Sequence, residues 1–332
     1  MRRIFTLIIV SVAVMVIGIS IGSVNLPFSQ VIASFAFKNI KLVLENPKAL
    51  GTTETIILQI RLPRVLLAYL VGLSLASAGT ASQALFKNPL ADPYILGISG
   101  GASVGAAIAA VYFPRYIGPF ALASALVSVY IVYRISKIDG HIPIDTLLLA
   151  GIAFGFFSSA ITSYLLYVGR ERIHNVIFWL MGTFNGAEWG DVKLVLISSA
   201  VGFAFLMTHW RELNLLLFGE ESVALGLDIG FYRKAVIFVI SLLTAFAVAT
   251  SGIIGFVGLV SPHAMRIIFG PSHKKLLPAS ALFGGILMVF ADLLARILLK
   301  PAEIPVGIVT ALFGAPFFLY LLVKRKRGEL YA

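Results

Sequence analysis

Val236–Val248 reads VIFVISLLTAFAV. It holds no charge, and its apolar residues do not alternate with polar ones. A membrane-spanning β-strand would alternate, because one face meets lipid and the other a lumen. An unbroken apolar run must satisfy its own backbone hydrogen bonds in hydrocarbon, and only a helix does so within one segment. The run sits inside a longer apolar stretch, about 232–250. At about 1.5 Å per residue that stretch crosses a hydrocarbon core of about 30 Å. Ala281–Ala291, ALFGGILMVFA, reads the same way.

Working outward, similar segments follow one another from Ile4 to Val323. With 59% hydrophobic and 12% charged residues and a mean hydropathy of +0.97, a soluble fold is excluded. The expectation is an all-α polytopic membrane protein forming one transmembrane domain over 1–332. Ten helices are expected, at about 4–24, 63–86, 94–113, 117–136, 143–168, 191–209, 232–250, 252–270, 276–299 and 304–323. The eighth is Gly-rich and broken by Pro262. Ile4–Val24 reads as an uncleaved first helix: it is long for a signal peptide, and no small-x-small cleavage site follows it directly.

The net charge of +11 is explained by cytoplasmic Lys and Arg flanking the spans rather than by nucleic acid. Arg2-Arg3 and Lys324-Arg325-Lys326-Arg327 put both termini in the cytoplasm, which requires an even number of spans. On this topology 25–60 is external and holds an amphipathic piece, Phe28–Phe37. The loop 169–190, with Trp179 and Trp189 as interface residues, is also external, and 210–231 is cytoplasmic. Gly101/Gly105 and Gly151/Gly155 are spaced four apart, which suits close helix packing.

Chemistry-bearing residues are few. The chain has no cysteine and no phosphate-cradling G-x-x-x-x-G-K-[ST] loop, so it does not hydrolyse ATP itself. Its histidines (141, 174, 209, 263, 273) show no metal-ligand spacing. Ion-coupled transporters place acids at membrane depth; here Asp292 and Arg296, at i and i+4, read as a local ion pair. What stands out is a set of junctions at span ends. Arg61-Leu62-Pro63-Arg64 puts cations at the start of a helix, where they oppose its dipole. Lipid headgroups or a protein partner would account for them. Asn88-Pro89-Leu90-Ala91-Asp92-Pro93 leads into Gly97-Ile98-Ser99-Gly100-Gly101. Gly252-Ile253-Ile254-Gly255-Phe256-Val257-Gly258-Leu259 runs on to Pro262-His263 and Arg266. Glu303-Ile304-Pro305-Val306-Gly307 precedes Gly314-Ala315-Pro316-Phe317. The loop Gly219-Glu220-Glu221-Ser222-Val223-Ala224-Leu225-Gly226 is acidic on the cytoplasmic side. That runs against the charge bias and favours a protein partner, and Gly226 is expected to cap a short turn.

Taken in this order, from Arg61 to Phe317, the junctions resemble the iron-chelate and vitamin B12 permease family of binding-protein-dependent ABC importers, the FecCD family. The resemblance implies a type II ABC importer permease fold in a prokaryotic cytoplasmic membrane. It implies a homodimer in the lipid bilayer, two cytoplasmic ABC ATPase subunits, and a periplasmic or extracellular substrate-binding protein. It implies no cofactor of the chain's own. The cargo would be a metal chelate (ferric siderophore, haem or cobalamin), with an oxyanion such as molybdate as an alternative on the same fold. An ion-coupled secondary transporter is the alternative from another class. By the same resemblance, Arg61, Arg64 and Arg296 would meet the binding protein. Gly219, Glu220, Glu221, Ala224, Leu225 and Gly226 would couple to the ATPase. Asn88, Pro89, Gly97, Ser99, Gly100, Asp145, Thr146 and Gly151 would line or gate the path.

Overall fold

The computed structural model describes residues 2–22, 28–34, 50–138, 141–169 and 173–326. Parts of the expected external segment 25–60 and of the basic tail lie outside them. The described residues are helical throughout, apart from turns and one isolated bridge between Ile138 and His141.

In chain order the helices are α1 (Arg2–Ser20), α2 (Phe28–Ser34), α3 (Thr52–Thr55), α4 (Leu62–Leu85), α5 (Ile98–Tyr112), α6 (Ile117–Ser136), α7 (Ile144–Gly169), α8 (Ile173–Leu180), α9 (Trp189–Thr208), α10 (Trp210–Leu216), α11 (Ile229–Ser251), α12 (Val257–Phe269), α13 (His273–Ile297) and α14 (Val306–Lys326). Seven apolar helical stretches are long enough to cross a membrane, and α5, α12 and the Val306–Tyr320 part of α14 are shorter apolar helices. Together these match the ten expected spans.

Helix α4 is the hub. It packs against α13, α11, α12 and α9, and its buried face is dominated by Ala, Gly and Ser. Small residues replace the hydrophobic effect as the packing device, since lipid tails are as apolar as leucine. At the α4–α13 crossing a Cβ on Gly72 would strike the Gly284 carbonyl, and one on Gly284 would strike Ala76 and the Gly72 carbonyl. The two backbones touch. Between α5 and α6, Gly101 faces Ser128 and Gly105 faces the Phe120 carbonyl, so this expected packing pair is observed. Helix α7 lies at the edge of the bundle against α5 and α6, with Phe156 75% and Tyr167 84% exposed.

Two departures from the expected spans have local causes. The second span begins at Thr52 rather than 63 and runs unbroken to Leu85. Pro63 has no N–H to give, and the chain absorbs this with a π-helical turn at Ile56–Arg61, where the Leu62 N–H reaches back to Ile57 O. The Leu58 carbonyl, left over by that turn, accepts the indole N–H of Trp189 at 3.1 Å. The expected span 252–270 is helical only from Val257. At about 20 Å, α12 is too short to cross alone. The unwound Gly252–Phe256 stretch is tolerated because protein, not lipid, surrounds it. Tyr94 Oη donates to Ile254 O at 3.1 Å and accepts from Ile254 N at 3.2 Å, and Thr183 N donates to Ser251 O at 2.8 Å.

Candidate functional sites

Arg61, Arg64 and Arg296 come together at the end of the molecule where α1 finishes. Because the helix starts at Thr52, neither Arg61 nor Arg64 sits at a helix N-terminus. Arg61 serves a different helix end. Arg61 donates to Ile19 O and Ser20 O, both at 2.9 Å. Arg296 donates to Gly18 O and Ile21 O, both at 3.0 Å. Lys300 donates to Gly22 O at 3.0 Å. The last carbonyls of α1 are therefore capped by three cations, which favourably oppose the negative end of its dipole.

Arg64 faces the other way. Its Nε and Nη2 grip Asp292 at 3.0 and 2.8 Å, and Nη1 meets Glu303 at 2.9 Å. Asp292 also pairs with Arg296 at 3.1 Å, so the expected i, i+4 ion pair forms. Asp292 is 1% exposed and carries two guanidinium partners; the Glu303 side chain is about a third exposed. The sequence reading named the arginines. It missed Lys300 as a cap and Trp189 as a donor, because neither spacing nor composition signals a bond to a distant carbonyl.

The 210–231 segment folds as α10, then a 3-10 turn at Gly219–Val223. Gly226 N donates to Val223 O and Leu227 N to Ser222 O, with Gly226 at φ +84°. This is a Schellman cap, with Leu227 buried beneath it as its apolar contact. Gly226 thus does what its position in the sequence suggested. Glu221, Ala224, Leu225 and Gly226 are exposed and Gly219 is buried. Val223 and Leu225 present apolar side chains to solvent, each more than half exposed. Glu220 ties the turn to α11 through Arg233 at 2.9 Å. The turn is a rigid, partly apolar knob with acidic shoulders.

The proposed path residues are not in one cluster. Asn88 Oδ1 accepts from Leu90 N at 3.0 Å, shaping the turn at Pro89. Gly97, at φ +80°, joins the 3-10 turn Pro93–Leu96 to α5, and its carbonyl accepts from Ser128 Oγ at 3.0 Å. Ser99 and Gly100 open α5. Gly100 packs on Ser158 of α7, while Gly151 packs on the Ile95 carbonyl. Asp145 and Thr146 begin α7, with Asp145 exposed. Gly97, Gly100 and Gly151 thus pin α7 to the start of α5. Asn88 and Pro89 stand at the end of α4.

Along nearly its whole length the chain is similar to known proteins. The FecCD transport family matches residues 7–324. The cobalamin import system permease protein BtuC of Halobacterium salinarum is 46% identical over 83% of this chain and 75% of its own length. An ABC transporter permease protein of Bacillus subtilis, YvrB, is 39% identical over 94% of this chain and 91% of its own. The vitamin B12 import system permease protein BtuC of Escherichia coli is 40% identical over 82% and 85%. Among solved structures, an inward-facing metal-chelate type ABC transporter superposes with a TM-score of 0.85 at 32% identity, covering 97% of this chain and 99% of that one. PsaBC from Streptococcus pneumoniae, at 20% identity, TM-score 0.56 and coverage of 85% and 94%, shares the fold. With ten apolar helices in this order and a match along nearly the full length, this multi-pass membrane protein belongs to the FecCD transport family of ABC importer permeases.

Proposed function

We propose that this chain is the permease subunit of an ATP-driven importer that carries a metal chelate inward. Within that class cobalamin is the cargo best supported. The observation that carries the reading is the 46% identity, over 83% of the chain, to a cobalamin import permease. The ion-coupled alternative is not favoured: the buried acid Asp292 is held by two arginines.

In this reading both termini lie in the cytoplasm, and a second copy completes the path as a homodimer. The exposed 219–226 knob seats in a groove of an ATPase subunit, one per permease. Its Schellman cap and the Glu220–Arg233 pair pass movement of the ATPase to α11. A binding protein docks at the opposite end, over Arg61, Arg64 and Arg296. These arginines are already engaged and nearly buried, so an arriving carboxylate would compete with Glu303 for Arg64. Charge pairs of this kind set register and on-rate more than affinity. Asn88, Pro89, Gly97, Ser99, Gly100, Asp145, Thr146 and Gly151 are the proposed path and gate.

The test is reconstitution in liposomes with the co-encoded ATPase and binding protein. The expected result is ATP- and binding-protein-dependent uptake of labelled cobalamin, insensitive to a protonophore. Uptake of a ferric siderophore, haem or molybdate with none of cobalamin would refute the cargo but leave the importer. Uptake driven by an ion gradient without ATP would refute the importer.

A further inference from the structure

At the end of α4 lies a cavity of about 170 Å³ between the ends of α4 and α12 and the start of α13. Its polar lining is Gln83, Lys87, Asn88, Arg266 and His273, with Leu217 closing one side next to the 219–226 turn. Two of these are cations, and no carboxylate is among the described residues lining it. Lys87 holds φ +49°, a conformation that costs a residue with a Cβ about 1–2 kcal/mol relative to ordinary helix. It occupies the left-handed position of a Schellman cap: Lys87 N donates to Ala84 O and Asn88 N to Gln83 O. Glycine is the usual occupant of that position. A lysine kept there despite the strain points to a use for its side chain.

His273 supplies the second, independent observation. It is 2% exposed. Asn214 Oδ1 accepts from both His273 N, at 3.0 Å, and ring Nδ1, at 2.7 Å. Accepting from a backbone N–H fixes the Asn214 oxygen in place, so Nδ1 carries the ring proton. Nε2 is then a bare acceptor, and it is buried without a hydrogen-bond partner. A buried polar atom left this way calls for a missing partner. Two cations and a bare acceptor in one lining suit an oxyanion that also carries a hydroxyl.

We propose that this cavity binds a phosphate group bearing an acidic hydroxyl, its charged oxygens held by Lys87 and Arg266 and its P–O–H donating to His273 Nε2. Gln83 Oε1 accepts from Arg266 Nη2 and orients the guanidinium, and the Asn88 amide adds a neutral contact. Inorganic phosphate and the monoester headgroup of phosphatidic acid share this chemistry. Sulfate, which only accepts at neutral pH, and a phosphodiester headgroup, whose phosphate has no P–O–H, do not. The site shares Asn88 and Pro89 with the proposed path, but its test needs neither the cargo nor the partners assigned above.

The experiment uses the full-length chain, purified without partners. Its thermal unfolding midpoint is followed by tryptophan fluorescence while inorganic phosphate or sulfate is titrated at constant ionic strength. Ligand that binds only the folded state raises the midpoint saturably. Phosphate is expected to do so, with sulfate at least about tenfold weaker, because it leaves the buried Nε2 acceptor without a donor. Lys87→Gln should weaken phosphate by about tenfold or more, and Lys87→Arg should restore it. Lys87→Gly, which relieves the backbone strain, should raise the ligand-free midpoint and abolish the response, so misfolding cannot explain the loss. A second arm uses phosphatidylcholine nanodiscs with phosphatidic acid or phosphatidylglycerol added. A rise with phosphatidic acid alone assigns the site to a lipid headgroup, and a rise with free phosphate assigns it to the solution ion; either supports the site. Equal responses to phosphate and sulfate, an unchanged response in Lys87→Gly, or no response in either arm overturns it.

Discussion

Asp292→Asn is the most informative single change in the Arg64–Asp292–Arg296 ion network. Asp292 is 1% exposed and receives Arg64 through two nitrogens and Arg296 through a third. Within the group Arg64, Arg296, Asp292 and Glu303 the formal charges cancel. Asparagine removes one negative charge and leaves two buried guanidiniums facing a single, partly exposed Glu303. Breaking a buried pair by removing one partner costs about 3–5 kcal/mol, because the remaining charge stays desolvated. Glu303→Gln removes a carboxylate about a third exposed that meets only Arg64, and the expected loss is about 1 kcal/mol. Arg64→Met combined with Asp292→Leu should lose at least about 2 kcal/mol less than the sum of the single changes, since residues in contact couple. The assay is unfolding in mixed micelles of rising dodecyl sulfate content, followed by circular dichroism. Asp292→Asn unfolding within about 0.5 kcal/mol of the parent, or no worse than Glu303→Gln, would refute the view that this network holds α1, α4 and α13 together.

Three other outcomes follow from the geometry. Gly226→Val, at φ +84°, and Ala224→Glu, on the exposed knob, should prevent ATPase assembly or uncouple hydrolysis from uptake while binding-protein docking survives; co-purification and liposome uptake check this, and wild-type values in both variants would make the turn a mere connector. Arg61→Glu should weaken docking and also lower stability by about 2 kcal/mol, because it removes two caps from α1; a docking titration beside the micelle unfolding curve separates the two effects, and unchanged docking in an Arg61→Glu/Arg64→Glu double variant excludes the docking role. Since the chain has no cysteine, Ala302→Cys should react with an impermeant thiol reagent from outside and Val223→Cys only from inside; the opposite pattern inverts the topology.

The span count, the all-helical class and the junctions that carry the family resemblance are legible in the sequence. Hydrocarbon leaves the backbone one local way to satisfy itself, and runs such as Val236–Val248 announce it. The Gly226 cap and the Asp292–Arg296 pair are legible for the same reason: each is a contact within five residues of one chain segment. The rest is set by contacts far apart in the chain, 42 residues for Arg61 and Ile19 and 160 for Tyr94 and Ile254. Arg61 and Arg64 looked like cations misplaced at a helix start. Only the fold shows that the helix begins at Thr52 and that Arg61 caps the end of α1. Trp189 looked like an interface residue, and only the fold hands it the Leu58 carbonyl that the π-helical turn before Pro63 leaves over. Residues 252–256 looked like the start of a span, and only Tyr94 and Thr183, brought in from other segments, make an unwound backbone affordable there. Sequence periodicity reports which residues avoid water. It says nothing about which distant carbonyl or carboxylate will stand beside a buried donor, and in this protein such pairings hold Arg61, Arg64 and Arg296.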